Sequence, residues 1–118
     1  MAERERRHAM MTLDNVREIG ATLPDVAVSA GKLGVALKTK GEILACQAIH
    51  RSAEPGSLMV RVGTQRRDAL VAEDPEVFYL TSHYEPYPVV LVRLSRIDRA
   101  WLGGLLTEAL EFTGNETG

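Results

Sequence analysis

The spacing of apolar residues changes twice along this chain, and these changes limit its fold more than any other feature. Between residues 13 and 23, apolar side chains recur at the three- and four-residue intervals of one helix face. Leucine and valine occupy every second position of residues 57–62, as on one face of a strand, and residues 89–92 form a short apolar run rich in valine. Helical spacing returns between residues 97 and 110. The pattern predicts an α+β domain in which terminal helices flank a sheet.

Capping and turn residues set the predicted element boundaries. Thr12 and Asp98 are suitable N-caps for the first and last helices. The glycine in residues 39–41 favours a tight hairpin turn, and Thr64 is the expected N-cap of a short helix over residues 64–74. The resulting order is α-β-β-β-α-β-β-α, with about five strands.

Three positions carry expectations about packing. Gly103-Gly104 interrupts the last helix at about 1 kcal/mol per glycine, which close packing against the sheet would offset. Cys46 is expected to be a small core residue of a strand over residues 43–49, and Trp101 a packing residue.

Length and composition predict one domain over residues 12–112, with flexible tails at residues 1–11 and 113–118. No apolar run approaches the ~20 residues of a membrane helix, and the first residues lack the apolar core of a signal peptide. Cys46 is the only cysteine, which excludes an internal disulfide. These features predict a cytoplasmic protein without a membrane partner.

Positive charge is concentrated in the first part of the chain. Residues 1–67 contain 11 Lys and Arg against 7 Asp and Glu, whereas residues 68–118 contain 3 against 9. Such asymmetry can mark a surface that binds a polyanion, although solvated faces also produce it. The candidate DNA contacts are Lys38, Lys40, Arg51, Arg61, Arg66 and Arg67. The alternative is that these charges are dispersed and only keep the protein soluble.

The 81–88 loop is a second candidate site, for a ligand or a partner. His83, Tyr84 and Tyr87 would line a small pocket, and Glu85 is near enough in sequence to affect the titration of the imidazole. The alternative is a structural role, in which the loop holds its flanking strands in register.

No pattern indicates catalysis or a metal centre. The chain has no glycine-rich phosphate loop and no nucleophile elbow, and adjacent residues such as Ser82 and His83 rarely form a nucleophile–base pair. Cys46 and His50 on one strand face would lie roughly 13 Å apart, too far to hold one ion. We therefore expect a protein that is not an enzyme, with no cofactor, no metal and no catalytic residues.

Three stretches together resemble the MmcQ/YjbR-like proteins of bacteria: residues 11–17, 48–62 and 78–94. The most specific part is Tyr79-Leu-Thr-Ser-His-Tyr84 followed by Tyr87-Pro88. The likeness covers about residues 11–112.

This resemblance implies a frataxin-like (CyaY-like) fold, with the N- and C-terminal helices on one face of an antiparallel sheet. It also implies DNA binding through a double wing of hairpins, with Lys38 and Lys40 at a wing tip. Iron binding of the frataxin kind is not expected, because the first helix offers only Asp14 and Glu18.

Two functional hypotheses follow. The first is a non-enzymatic DNA-binding domain of low sequence specificity that uses the basic surface. The second is a protein- or metabolite-binding adaptor domain that uses the 81–88 loop. Convergent positive charge would favour DNA, whereas a neutral concavity near the loop would favour the adaptor.

Overall fold

The sheet is the frame on which the helices pack. The computed structural model describes residues 11–32 and 34–117. In chain order its elements are α1 (Leu13–Ala21), β1 (Ala27–Gly31), β2 (Gly34–Thr39), β3 (Glu42–Gln47), β4 (Ser57–Arg61), α2 (Thr64–Glu73), β5 (Phe78–Tyr79), β6 (Val89–Arg93), a 3-10 turn (Leu94–Arg96) and α3 (Arg99–Thr117). The strands form one antiparallel sheet in the spatial order β1-β2-β3-β4-β6-β5.

The terminal helices pack on the same face of this sheet, which confirms the predicted α+β architecture. Val16 of α1 and Leu102 and Leu106 of α3 are fully buried in one cluster with Leu37 and Val60 of the sheet. The middle helix, α2, adds Leu70 to the same cluster. None of the described helices is both long and apolar enough to cross a membrane.

Two of the three predicted N-caps, Thr12 and Asp98, are confirmed. The Thr12 hydroxyl accepts from the backbone N–H of Asn15, and the Asn15 side chain accepts from the backbone N–H of Thr12, which completes a capping box. Asp98 accepts from the backbone N–H of Trp101 at 2.8 Å. At α2, Gly63 rather than Thr64 is the N-cap residue.

The sheet has one strand more than the sequence predicted. Strand β1 consists of Ala, Val, Ser, Ala and Gly, which carry no apolar alternation, yet it pairs with β2 from Ala27–Lys38 to Gly31–Gly34. The next hairpin has the predicted turn, because Lys40 and Gly41 adopt φ values of 52° and 82°, the left-handed pair of a type I′ turn.

The ends of the chain and the paired glycines correct two further expectations. Helix α3 continues to Thr117, and Thr113 is buried, so residues 113–117 are part of the domain. The tail predicted for residues 1–11 lies, apart from Met11, outside the described residues. Neither Gly103 nor Gly104 approaches another element, since a Cβ added at either would meet nothing within 4 Å.

Candidate functional site

One residue from each strand lies in a single row across the face opposite the helices, which we call the open face. The register aligns, in order, Ser29, Ala36, Cys46, Met59, Leu91 and Tyr79. The first three side chains are small and the last three are large. Large side chains therefore fill the open face over β4, β6 and β5, whereas small side chains leave a depression over β1, β2 and β3.

The 81–88 loop covers the half with the large side chains. Tyr84 is only 7% exposed and forms a second, smaller core with Val89 and Leu91, against which Met59 packs. Burial on this scale gives Tyr84 a structural role.

Arg67 holds this loop from the α2 side. Its Nη1 donates to the backbone carbonyl oxygens of Glu85 and Tyr87, both at 3.0 Å, and its Nε donates to the Asp68 carboxylate at 3.0 Å. The residue is 8% exposed. A buried guanidinium engaged with backbone carbonyls presents little donor surface to a phosphate, which argues against Arg67 as a DNA contact.

The connection between β3 and β4 holds the loop from the other side. The backbone N–H of His50 donates to the Tyr84 hydroxyl at 3.3 Å, and the hydroxyls of Ser52 and Thr81 lie 2.8 Å apart. These contacts join segments that are about 30 residues apart in the chain, and together with Arg67 they fix the loop at both ends.

Two histidines stack at this junction. The ring centroids of His50 and His83 are 3.5 Å apart, and the ring planes differ by 8°. From the sequence, His50 was expected on a strand, and Glu85 was expected to be the residue near the His83 imidazole. Instead β3 ends at Gln47, and the connection carries His50 to His83.

The environment of His50 favours its neutral form. Loss of hydration, the charge of His83 and the charge of Arg51 each lower its pKa below the usual 6.5. Its Nδ1 accepts a hydrogen bond from the backbone N–H of Ser52 at 3.1 Å. Protonation of Nδ1 would break that bond, because a protonated nitrogen cannot accept.

The uncovered half of the open face is a groove of about 620 Å³. Its lining includes the small side chains of the row together with Ile43, Ile49 and Tyr84. Lys32 and Lys38 are its charged residues, and among the described residues no carboxylate lines it. We call this depression the sheet groove.

A second concavity of about 400 Å³ adjoins the sheet groove. The two share Ile43, Met59 and Tyr84, and the second is bordered by His83 and Tyr87 of the loop. Both loop residues are exposed. Of the three loop residues predicted to contact a ligand, His83 and Tyr87 therefore face solvent beside this concavity, and Tyr84 is buried.

Cys46 lies at the sheet groove rather than in the core expected for it. It is half-buried, and burial raises the pKa of its thiol. No group of three or more His, Cys, Asp or Glu suited to a metal ion occurs within residues 11–32 and 34–117.

Two further candidate DNA contacts are engaged in ion pairs. Arg66 donates to both carboxylate oxygens of Glu108, at 2.9 and 3.4 Å. Arg61, expected to point to solvent, is on the open face with its side chain 24% exposed, and its Nη1 lies 3.4 Å from Glu42.

The remaining three candidates are exposed but do not form one patch. Lys38 and Lys40 lie at the β2–β3 hairpin, whereas Arg51 follows the far end of β3. None of the three pairs with an acid in the described part of the chain. Arg51 is therefore separated from the hairpin that carries Lys38 and Lys40.

Comparisons with known proteins identify the fold. The chain is 49% identical over 41 residues to uncharacterized proteins of Mycobacterium bovis and of two Mycobacterium tuberculosis strains. The match covers 35% of this chain and spans about a third (32%) of each relative. No family model matches.

The described fold is similar to the crystal structure of Deinococcus radiodurans protein DR2400, a DUF419 domain. The TM-score is 0.67 and the identity 21%, over 88% of this chain and 79% of that one. DUF419 proteins have the MmcQ/YjbR-like fold. The predicted α+β fold, an antiparallel sheet with helices on one face, is therefore confirmed.

Proposed function

We propose that this chain is a binding domain of the MmcQ/YjbR-like family, and that its ligand is a small molecule in the sheet groove. The observation that carries the proposal is the uncovered apolar groove of about 620 Å³ beside an anchored loop. Ligand sites are typically mostly apolar concavities of ~300–1,000 Å³ with a few polar groups. Ile43 and Ile49, which are 37% and 58% exposed, supply apolar surface that such a ligand would cover.

A titration with 8-anilinonaphthalene-1-sulfonate, whose fluorescence rises in apolar sites, tests this proposal. We expect saturable binding by the native chain and its loss in Ala36→Trp, because an indole on β2 would fill the groove. The control is Ala69→Trp on α2, where the native residue is exposed and lies outside the groove. Equal dye binding by both folded variants and the native chain would place the ligand elsewhere.

DNA binding is the second candidate function. It is favoured by Lys38 and Lys40, which are exposed on one hairpin and make no ion pair within the described residues. It receives less support than the groove because Arg66 and Arg67 are engaged with other groups of the chain.

Fluorescence anisotropy with duplex DNA at low salt separates the two functions. A nonspecific binder responds at ~10–100 µM protein and weakens steeply with salt. Joint replacement of Lys38 and Lys40 by Gln should then flatten the salt dependence. Absence of binding in this concentration range would exclude the DNA hypothesis and leave the groove proposal untouched.

A further inference from the structure

The charged residues that line the sheet groove have one sign. They are Lys32 and Lys38, whereas Arg61 of the adjoining concavity lies in an ion pair with Glu42. Among the described residues, no aspartate or glutamate lines either concavity. A ligand with a negative head group therefore matches this surface, whereas a cationic ligand meets only like charge.

The apolar and charged parts of the groove are arranged along strand β2. Ala36 belongs to the row of small side chains, and Lys38 lies two residues further on the same face, where it pairs with Ile43 of β3. This places the Lys38 ammonium at the hairpin end of the groove, next to an exposed isoleucine.

The two lysines lie near opposite ends of β2. Lys38 lies four residues beyond Gly34, the first residue of β2, which is roughly 13 Å along the strand, and Lys32 lies before Gly34 in the turn. The backbone at Lys38 is fixed by partners on both sides, Ala27 of β1 and Ile43 of β3. Lys38 is therefore the better positioned cation.

We propose that the sheet groove binds an amphipathic anion, whose apolar body lies over Ala36, Cys46 and Met59 and whose carboxylate or phosphate head pairs with Lys38. This inference rests on the proposed function, since it assigns the ligand class of that groove. Exposed lysine supplies charge without the fixed fork of arginine, so either kind of head group fits.

Cys46 provides the readout. It is the only cysteine of the chain and lines the groove, so a bound ligand slows its alkylation by iodoacetamide. The probes are decanoate, decyl phosphate, decan-1-ol and decyltrimethylammonium, each below its micelle-forming concentration. The four share one apolar body and differ in head group, and the two anions tell carboxylate from phosphate.

We expect at least one anion to protect Cys46 at a concentration about tenfold lower than decan-1-ol does, and the cation to protect least. Lys38→Gln should raise the protecting concentration of the anion to that of the alcohol, and Lys38→Arg should preserve it. The matched control is Lys40→Gln, since Lys40 lies on the same hairpin but does not line the groove.

The outcomes that contradict the two proposals differ. Equal protection by the alcohol and both anions, or no effect of Lys38→Gln, would overturn the assignment of an anion while the groove remained a ligand site. Failure of every probe to protect Cys46, together with dye binding that Ala36→Trp does not change, would overturn the proposed function itself.

Discussion

The stacked histidines join the 81–88 loop to the β3–β4 connection. His50 and His83 lie 3.5 Å apart, centroid to centroid, and Arg51 adds a third basic group nearby. The hydroxyls of Ser52 and Tyr84 that contact His50 carry no charge to compensate. Protonation of both rings would therefore create repulsion at the point where the loop is anchored.

Because of this pair, the free energy of unfolding should decrease as the pH falls below about 6.5. The folded state lowers the pKa of His50, so the unfolded chain binds the proton more readily, and the loss begins at the unfolded pKa and continues down to the folded one. Urea unfolding at several pH values measures it. His83→Gln removes one of the two charges and should make the loss shallower. An unchanged pH dependence in this variant would show that the stack is not responsible.

The residue-level features that were predicted are local ones. The caps at Thr12 and Asp98 depend on partners three residues away, and both were predicted correctly. The contact between His50 and His83 spans 33 positions and depends on strand register, which residue type does not encode. The same limit applies to Arg67. In the sequence it cannot be told from an ordinary surface arginine, because the carbonyl groups it contacts lie 18 and 20 residues away.

At the level of elements, the strongest difference between expectation and structure concerns glycine and other small residues. Strand β1 was missed because alternation of apolar side chains is what marks a strand, and Ala27–Gly31 has none. Strands over residues 57–62 and 89–92 were predicted because these residues do carry apolar side chains on the buried face, and β4 and β6 lie there. The paired glycines of α3 were correctly placed in a helix but wrongly assigned a packing role.

Gly104→Ala should therefore stabilise the protein by about 0.5–1 kcal/mol. The position is exposed in the middle of α3 and has free space for a methyl group, so alanine gains helix propensity without a clash. Thermal and urea unfolding measure the change. Gly63→Ala is the contrasting variant, since Gly63 has φ 87° and a Cβ there would lie 2.9 Å from Phe112. It should destabilise, and stabilisation by both changes would contradict this account.

At the scale of the whole molecule, the 81–88 loop connects parts that are distant in sequence. Arg67 links it to α2, and His50 and Ser52 link it to the β3–β4 connection. The six candidate bases between residues 38 and 67 were evident from the sequence. The groups with which they pair were not, because these are set by the tertiary fold. Three of the six predicted DNA contacts consequently proved to be engaged within the chain.

Arg67→Met should lower the free energy of unfolding by about 1–3 kcal/mol, because it leaves the carbonyl oxygens of Glu85 and Tyr87 without their donor. Its neighbour Arg66 is a matched control. Arg66 makes a partly exposed ion pair with Glu108, so Arg66→Met should cost less than about 1 kcal/mol. Urea unfolding of both variants tests the difference, and equal costs would mean that Arg67 does not hold the loop.

Side-chain size changes halfway along the row from Ser29 to Tyr79, and this change marks two different halves of the molecule. Over β4, β6 and β5 it is a three-layered structure, with helices, sheet and the 81–88 loop. Over β1, β2 and β3 it has two layers, since the sheet is covered by helices on one side alone. A bound ligand would supply the missing third layer, beside the layer that Tyr84 and the loop already form over the other half.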